Sequence, residues 1–452
     1  MGVKTYEDLL YMPFGNIGSL FILVNMFLFS YGSMVAYLLI VKDTVPVILG
    51  LGDGFVAREI TMLFVSVLIM LPLSLMRDMA SLAFTSLLSV TADVILIIFI
   101  IVYSPVKETV AEAGGFGKVL EENSFNTHLF IGLGIISQAM TCHPFALIIS
   151  HSLEDKSARA WASIARNSLS IAWFLCSIMG VAGFLGFLNE TEGDILNNFE
   201  NGSVAANGSR GLVAITMVFT YPMQAFVARH VMAKILYNGD SEGDLVDEHG
   251  NTVPASKLCG FFGRREKMGL SIFIATIIPA MIFNDLGPVL SITGSVGGSC
   301  LAYIGPGLVY LGCHGEAFIQ YTNEMMGHKQ QQSHTDPTIE LPVEGDSNAT
   351  MQQQFEMEGG GSKPWWWWVG LFPIWRAIAS TGSTGMKVRL QQIEEERPGL
   401  TTASPSGEII ASNHRDFYLA MFLITFGVVA VVAGVASNIY VQVNGIFSPP
   451  EE

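Results

Sequence analysis

Nine blocks of apolar residues decide what this 452-residue chain can fold into: Leu20–Val41, Ile60–Leu75, Ser81–Tyr103, Leu129–Ser150, Leu169–Leu188, Leu212–Leu236, Gly269–Phe283, Leu286–Leu311 and Phe417–Tyr440. About 20 helical residues cross the hydrocarbon core of a bilayer. Lipid offers the backbone no hydrogen bonds, so each crossing segment must close its own as a helix. The second and seventh blocks, at 16 and 15 residues, have to borrow length from their flanks. Charged residues make up only 14% of the chain, against about 25% in a soluble domain. The expectation is an all-α membrane protein with about nine spans.

Lys and Arg set the orientation. With the N-terminus in the cytosol, 18 of the 23 basic residues lie on cytosolic segments, leaving Lys42, Arg58, Lys107, Lys118 and Arg210 outside. Long loops cross regardless of charge, yet omitting 312–415 still leaves 11 against 5. The sequons at Asn189, Asn201 and Asn207 share one outer loop and are the expected glycosylation sites, whereas Asn348 faces the cytosol. A net charge of −16 excludes a nucleic-acid partner, which needs a basic face. Of the five cysteines, three sit in apolar blocks and two in cytosolic segments, so no disulfide framework is implied.

Three parts follow: a transmembrane core over 1–311, a cytosolic and largely disordered insertion over 312–415, and a last span with a short tail over 416–452. The insertion carries runs such as Gln330–Gln332, Gln352–Gln354 and Gly359–Gly361. Within it, Trp365–Trp368 with Leu371, Phe372, Ile374 and Trp375 reads as an interfacial anchor, the alternative being a docking patch for a cytosolic partner.

Ionisable groups at membrane depth are costly and tend to be functional. Asp93 lies near the middle of the third span, with Ser86 and Ser89 at helical spacing. Two readings stay open: a proton-linked carboxylate facing a cavity, or a permanently protonated buried acid. His143 follows Met140-Thr141-Cys142 and precedes Pro144, with Gly132 and Gly134 earlier in the same span. Proline removes a donor and clashes with the preceding turn, and a broken span exposes backbone groups that transporters use at the midplane. A kinked helix with a structural histidine is the alternative. The sixth span carries Thr216, Thr220, Tyr221 and Pro222, and ends in Arg229, His230 and Lys234, which read as snorkelling to headgroups. Gly294 and Gly298 in the eighth are spaced for close helix packing. No Walker loop, HExxH, GxSxG or CxxC pair is present, so pump and enzyme chemistry have no support. No cofactor or metal site is expected.

Several motifs, in order, resemble the amino acid/auxin permease superfamily, and most closely its sodium-coupled neutral and vacuolar amino acid transporter branches. They are Thr5-Tyr6-Glu7-Asp8-Leu9 with Phe14-Gly15 and Gly18; Ala36-Tyr37-Leu38 through Asp43-Thr44-Val45-Pro46; Cys142-His143; Ser152-Leu153-Glu154; Gly193-Asp194-Ile195-Leu196 with Asn198-Phe199; and Asp285-Leu286-Gly287 with Gly294 and Pro306-Gly307. Lys42 stands where glycine is usual. The resemblance implies a LeuT-like (APC-type) bundle of two inverted repeats with a midplane site. It places substrate binding near Thr141, Cys142, His143 and Thr220, and ion coupling near Thr216. Asp93 is not part of the family pattern and tilts the coupling toward protons. The first recognisable motif precedes the family's third span, so the pattern reads as lacking the first two.

The reading reached from sequence is secondary transport of amino acids, neutral ones foremost, across a vacuolar, lysosomal or plasma membrane with H+ or Na+ as coupling ion. The rivals are a transporter-like sensor signalling through 312–415, and an inactive truncated paralogue.

Overall fold

The computed structural model describes residues 5–51, 54–75, 82–122, 128–155, 157–200, 203–237, 245–246, 252–253, 263–325, 372–396 and 414–447. Fourteen helices run through them: α1 Tyr6–Ile48, α2 Phe55–Leu75, α3 Leu82–Tyr103, α4 Val106–Glu112, α5 Phe116–Glu122, α6 His128–Met140, α7 His143–Ser152, α8 Ala158–Phe187, α9 Val204–Tyr237, α10 Arg264–Ile282, α11 Leu286–Cys313, α12 Gly315–Met325, α13 Phe372–Glu396 and α14 His414–Phe447. A short antiparallel pair, β1 Leu245–Val246 with β2 Thr252–Val253, lies between α9 and α10.

Among the described residues, seven helices are long and apolar enough to cross a bilayer, or eight if α3 and α4, bent by 47°, form one broken span. Pro105 separates that pair. The seventh expected span differs. Gly269–Phe283 forms most of α10, 19 residues whose first turn carries Arg264, Arg265, Glu266 and Lys267, so its apolar part is short. The first helix also begins well before Leu20. It continues through Gly15, which takes φ +67° and ψ −148° and kinks it, a conformation open to glycine because it has no Cβ.

Two compact units divide the chain. The first holds Met1–Asp8, Ser19–Gly305 and Thr425–Glu452. Its core joins Met34, Leu38 and Leu39 of α1 to Met62 and Met70 of α2, Tyr221 and Ala228 of α9, and Ile272 and Phe273 of α10. Tyr221 can be fully buried there because its hydroxyl pairs with Thr276 Oγ1 at 2.9 Å. A smaller cluster packs Leu96, Phe99 and Ile100 of α3 on Leu196 and Ala206.

The second unit holds Leu9–Gly18 and Pro306–Ile424. Here part of the segment read as a largely disordered insertion is helical. α13 packs on α12 through backbone contact, since a Cβ on Gly315 would strike the Ala379 carbonyl. Arg389 Nη1 donates to Met12 O and Gly385 O, both at 3.2 Å, and its guanidinium stands 4.9 Å over the Tyr11 ring. Trp375 is buried; Trp365–Trp368 lie outside the described residues.

Candidate functional site at an interrupted helix

The helix predicted to break near Pro144 stops at Met140 and restarts at His143, leaving Thr141 and Cys142 outside regular structure. Pro144 sits in the first turn of α7, where its missing N–H costs nothing. The opened end is tied down locally. Thr141 Oγ1 donates to Ser137 O at 2.5 Å and approaches Gly298 O at 3.5 Å.

Small residues bring α11 against α6 above this point. A Cβ on Gly294 would collide with the Gly134 carbonyl, and one on Gly298 would lie 3.1 Å from Ser137 O. The GxxxG spacing therefore serves backbone contact. α11 yields to it by two π-helical turns, Gly294–Gly298 and Cys300–Ile304, a distortion often found at functional sites.

Polar atoms gather on the faces that meet here. Gln138 Nε2 donates to Ser33 Oγ of α1 at 2.6 Å, and Ser137 Oγ lies 3.3 Å from the Tyr303 hydroxyl. Tyr6, on the first turn of α1, rests its ring 5.6 Å from the His143 imidazole. Among the described residues, Ser30 Oγ, Gln138 Oε1, His143 Nδ1 and Ser295 Oγ are buried without a hydrogen-bond partner. Each such atom costs about 1–3 kcal/mol of lost solvation. Native proteins complete such atoms with ordered water, an ion or a ligand.

The other expected site residues are placed differently. Thr216 and Thr220 on α9 donate to Leu212 O at 3.0 Å and Thr216 O at 2.7 Å, each bonding the turn below it. Pro222 interrupts the ladder of the same helix. No hydrogen bond among the described residues joins these threonines to the break. Asp93 sits at an exposed position of α3 and makes no hydrogen bond among the described residues. It acts electrostatically on Tyr37 and Cys176, and Tyr37 is in polar contact with Gln224 of α9. Ser30, Ser33 and Tyr37 follow one another at helical spacing along α1. One polar stripe thus leads from Gln138 at the break toward Asp93. A search confined to ionisable groups passes over this stripe, though its spacing is visible in the sequence.

Two basic clusters depart from expectation. Arg229, His230 and Lys234 do not snorkel. Arg229 is buried and donates to Ser74 O at 2.7 Å. Lys234 Nζ lies 2.7 Å and His230 Nε2 3.1 Å from Glu7 Oε1, whose side chain is fully buried. Pairing wins because a buried carboxylate without a cation would be far more costly than two tethered side chains. Lys42, counted as an outer-loop charge, is only 1% exposed and reaches Ala280 O, Phe283 O and Asn284 Oδ1 at 3.1–3.2 Å.

Two motifs read from sequence as outer loops also converge. A Cβ on Gly193 would lie 2.8 Å from Asp285 Oδ1 and 2.9 Å from Gly287 N, so that loop touches the α10–α11 turn through bare backbone. Asp194 caps the 3₁₀ turn Ile195–Asn198, its Oδ1 accepting from Leu196 N at 3.0 Å. Burial pushes its carboxyl above the usual range, with Leu196 N–H and Arg210 pulling the other way.

Comparison with known proteins decides the family. The family model described as transmembrane amino acid transporter protein matches residues 1–325. The chain belongs to this transporter family. Vacuolar amino acid transporter 2 of Saccharomyces cerevisiae is 27% identical over 316 residues, covering 68% of this chain and 63% of that protein. Putative sodium-coupled neutral amino acid transporter 11 of Homo sapiens is 27% identical over 321 residues, covering 69% and 72%. Sodium-coupled neutral amino acid transporter 7 of Homo sapiens is 23% identical over 317 residues, covering 68% and 65%. The match thus spans somewhat under two thirds of the yeast relative's length. As a member of this family, the chain is a multi-pass membrane protein. The helices α13 and α14 lie beyond the matched residues.

Proposed function

We propose that this chain carries out secondary active transport of amino acids, neutral ones foremost, with a proton or sodium ion as the coupling species. One observation carries the reading: a membrane helix interrupted at Thr141-Cys142, beside buried polar atoms that have no partner among the described residues. A zwitterion needs donors and acceptors at membrane depth, and an interrupted helix offers both from its own backbone. Thr141, Cys142 and His143 are the proposed substrate contacts from this helix. Thr220 is the proposed contact from α9, with Thr216 one turn away on the ion side. Their hydroxyls now bond their own helix, and α9 is loosened beside them by Pro222. Asp93, through the Tyr37 stripe, is the proposed proton-linked group. The names of the relatives, one vacuolar and two sodium-coupled, support the substrate class and leave both ions in play. The inverted-repeat architecture belongs to the same proposal.

The test is uptake of a radiolabelled mixture of neutral L-amino acids into vesicles bearing the purified protein, with a pH or sodium gradient imposed separately. Saturable uptake driven by one gradient is the expected result. Equal, non-saturable accumulation with and without protein would refute the transport reading.

A second reading rests on α13. Arg389 grips the chain at Met12 and Tyr11, next to the Gly15 kink, with a helix outside the family match. A sensor that passes substrate occupancy to cytosolic partners would use such a contact. Capture of a partner by the wild-type chain but not by Arg389→Ala would favour it.

A further inference from the structure

Tyr6 and Glu7 are neighbours in the first turn of α1, yet they engage different parts of the fold. Tyr6, 8% exposed, donates from its hydroxyl to Leu301 O at 2.7 Å. Leu301 belongs to the π turn Cys300–Ile304, where the i→i+4 ladder is disturbed and a carbonyl can turn to an outside donor. A Cβ on Gly305 would lie 3.0 Å from the same hydroxyl, so the absence of a side chain there leaves room for the bond. The other side of the ring meets His143, the first residue after the break, at 5.6 Å between centroids and a 49° tilt.

Glu7 faces α9. Its Oε1 takes Lys234 Nζ at 2.7 Å and His230 Nε2 at 3.1 Å. Lys234 also reaches Asp8 Oδ1 at 3.2 Å and Thr5 Oγ1 at 3.4 Å, while Asp8 Oδ2 accepts from Thr5 N at 3.2 Å. All four residues of Thr5–Asp8 are therefore fixed, three of them by one lysine. The turn cannot rotate without breaking a buried ion pair, and leaving one partner of such a pair unmatched is strongly unfavourable.

We propose that Tyr6 is a positioning residue for His143, and that Glu7 holds Tyr6 in place by anchoring its turn to α9. One helical turn thereby links the broken helix, the π-bulged α11 and the cytosolic end of α9. His143 is held by its ring face while Nδ1, buried and without a partner among the described residues, stays free for the polar end of a small ligand. Fixing the imidazole by packing rather than by a hydrogen bond keeps that atom available. The inference deepens the transport reading, and depends on it only for the identity of the ligand.

The experiment needs no transport. The protein in lipid nanodiscs is treated with diethyl pyrocarbonate, and carbethoxylation of each histidine is followed by mass spectrometry. His314, which stacks on Tyr310 at 4.5 Å, serves as internal control. Tyr6→Ala should raise the His143 rate about fivefold, since local packing now limits access, with His314 unchanged. Tyr6→Phe keeps the ring and should restore His143 to within about twofold of wild type. Glu7→Gln, which does not touch His143, should raise it about threefold by loosening the turn. Uptake of the labelled neutral amino acid mixture, measured alongside, should show a raised KM in Tyr6→Ala and recovery in Tyr6→Phe. An unchanged His143 rate in Tyr6→Ala would overturn the positioning role, and so would a parallel rise at His314. An unchanged rate in Glu7→Gln would overturn the anchoring role. A protein that takes up nothing in any variant yet shows the expected labelling pattern would support the inference and count against the transport reading alone.

Discussion

The ammonium of Lys42 lies 2.5 Å from a carboxylate oxygen of Glu59, and both side chains are buried. The contact is an ion pair without hydrogen-bond alignment, since both Glu59 oxygens lack a bonded partner among the described residues. Lys42 supplies the geometry on its other side, donating to carbonyls at the C-terminal end of α10 and to Asn284, where the helix dipole favours a cation. Beside the pair, Arg58 bridges to Asp43. Four charges thus hold the C-terminal ends of α1 and α10 to the first turns of α2.

Removing one member of the Lys42–Glu59 pair should cost far more than removing both. Lys42→Met leaves a buried carboxylate uncompensated, a loss of about 3–5 kcal/mol, whereas replacing a buried pair by apolar residues is often neutral. Melting in detergent should therefore fall sharply for Lys42→Met and recover in Lys42→Met/Glu59→Met. A double variant as unstable as the single one would mean that Lys42 acts through the α10 carbonyls instead.

The α6–α11 contact predicts opposite outcomes for two glycine substitutions. Gly294→Ala places a methyl in the Gly134 carbonyl and must push the helices apart, at about 1–3 kcal/mol. Gly211→Ala on α9 meets nothing within 4 Å and should stabilise its helix by about 0.5–1 kcal/mol. Thermal melts of the two variants check the ordering. Equal melting temperatures would refute the close packing.

Outer-loop glycosylation should be selective. Asn189 is exposed in the short turn Leu188–Glu190. Asn207 lies on α9, its Oδ1 accepts from Arg210 Nη1 at 2.8 Å, and the sequon's Ser209 is buried. A transferase needs the sequon extended and accessible, so Asn189→Gln should remove a glycan while Asn207→Gln leaves the gel mobility unchanged. Asn201 and Asn348 lie outside the described residues. A shift lost only in Asn348→Gln would invert the topology.

What the sequence conveyed was mostly local. Pro144, with Gly132 and Gly134 before it, marks a break by backbone chemistry alone, and Gly294 with Gly298 marks a close helix contact by spacing. Their partners were hidden. Nothing near Tyr6 indicates that its hydroxyl will meet Leu301, because that depends on a π turn far along the chain. Lys42, His230 and Lys234 looked like topology signals because a basic residue near a span end usually is one. Their burial follows from where other helices end, and only the assembled fold supplies that. Helix α13 was obscured by composition, since the stripe it buries, Trp375, Ala379, Gly382 and Met386, mixes small residues with only two large apolar ones.

Asp93 gives the sharpest test of coupling. It lies at an exposed position of α3 and acts on Tyr37, one turn from Ser33, which Gln138 bonds at the break. A carboxylate at membrane depth that lacks a fixed partner can change protonation as the fold around it changes, which is the requirement for a proton-linked group. Asp93→Asn keeps the shape and removes the titration. Uptake driven by a pH gradient should fall to the level seen without one, while uptake with no gradient and the amount of folded protein stay near wild type. Tyr37→Phe should give a partial loss, because it removes the hydroxyl between Asp93 and the serine stripe while keeping the ring. If Asp93→Asn retains full pH-driven uptake, the carboxylate is not the coupling group. Sodium dependence, tested in the same vesicles, would then be the remaining route.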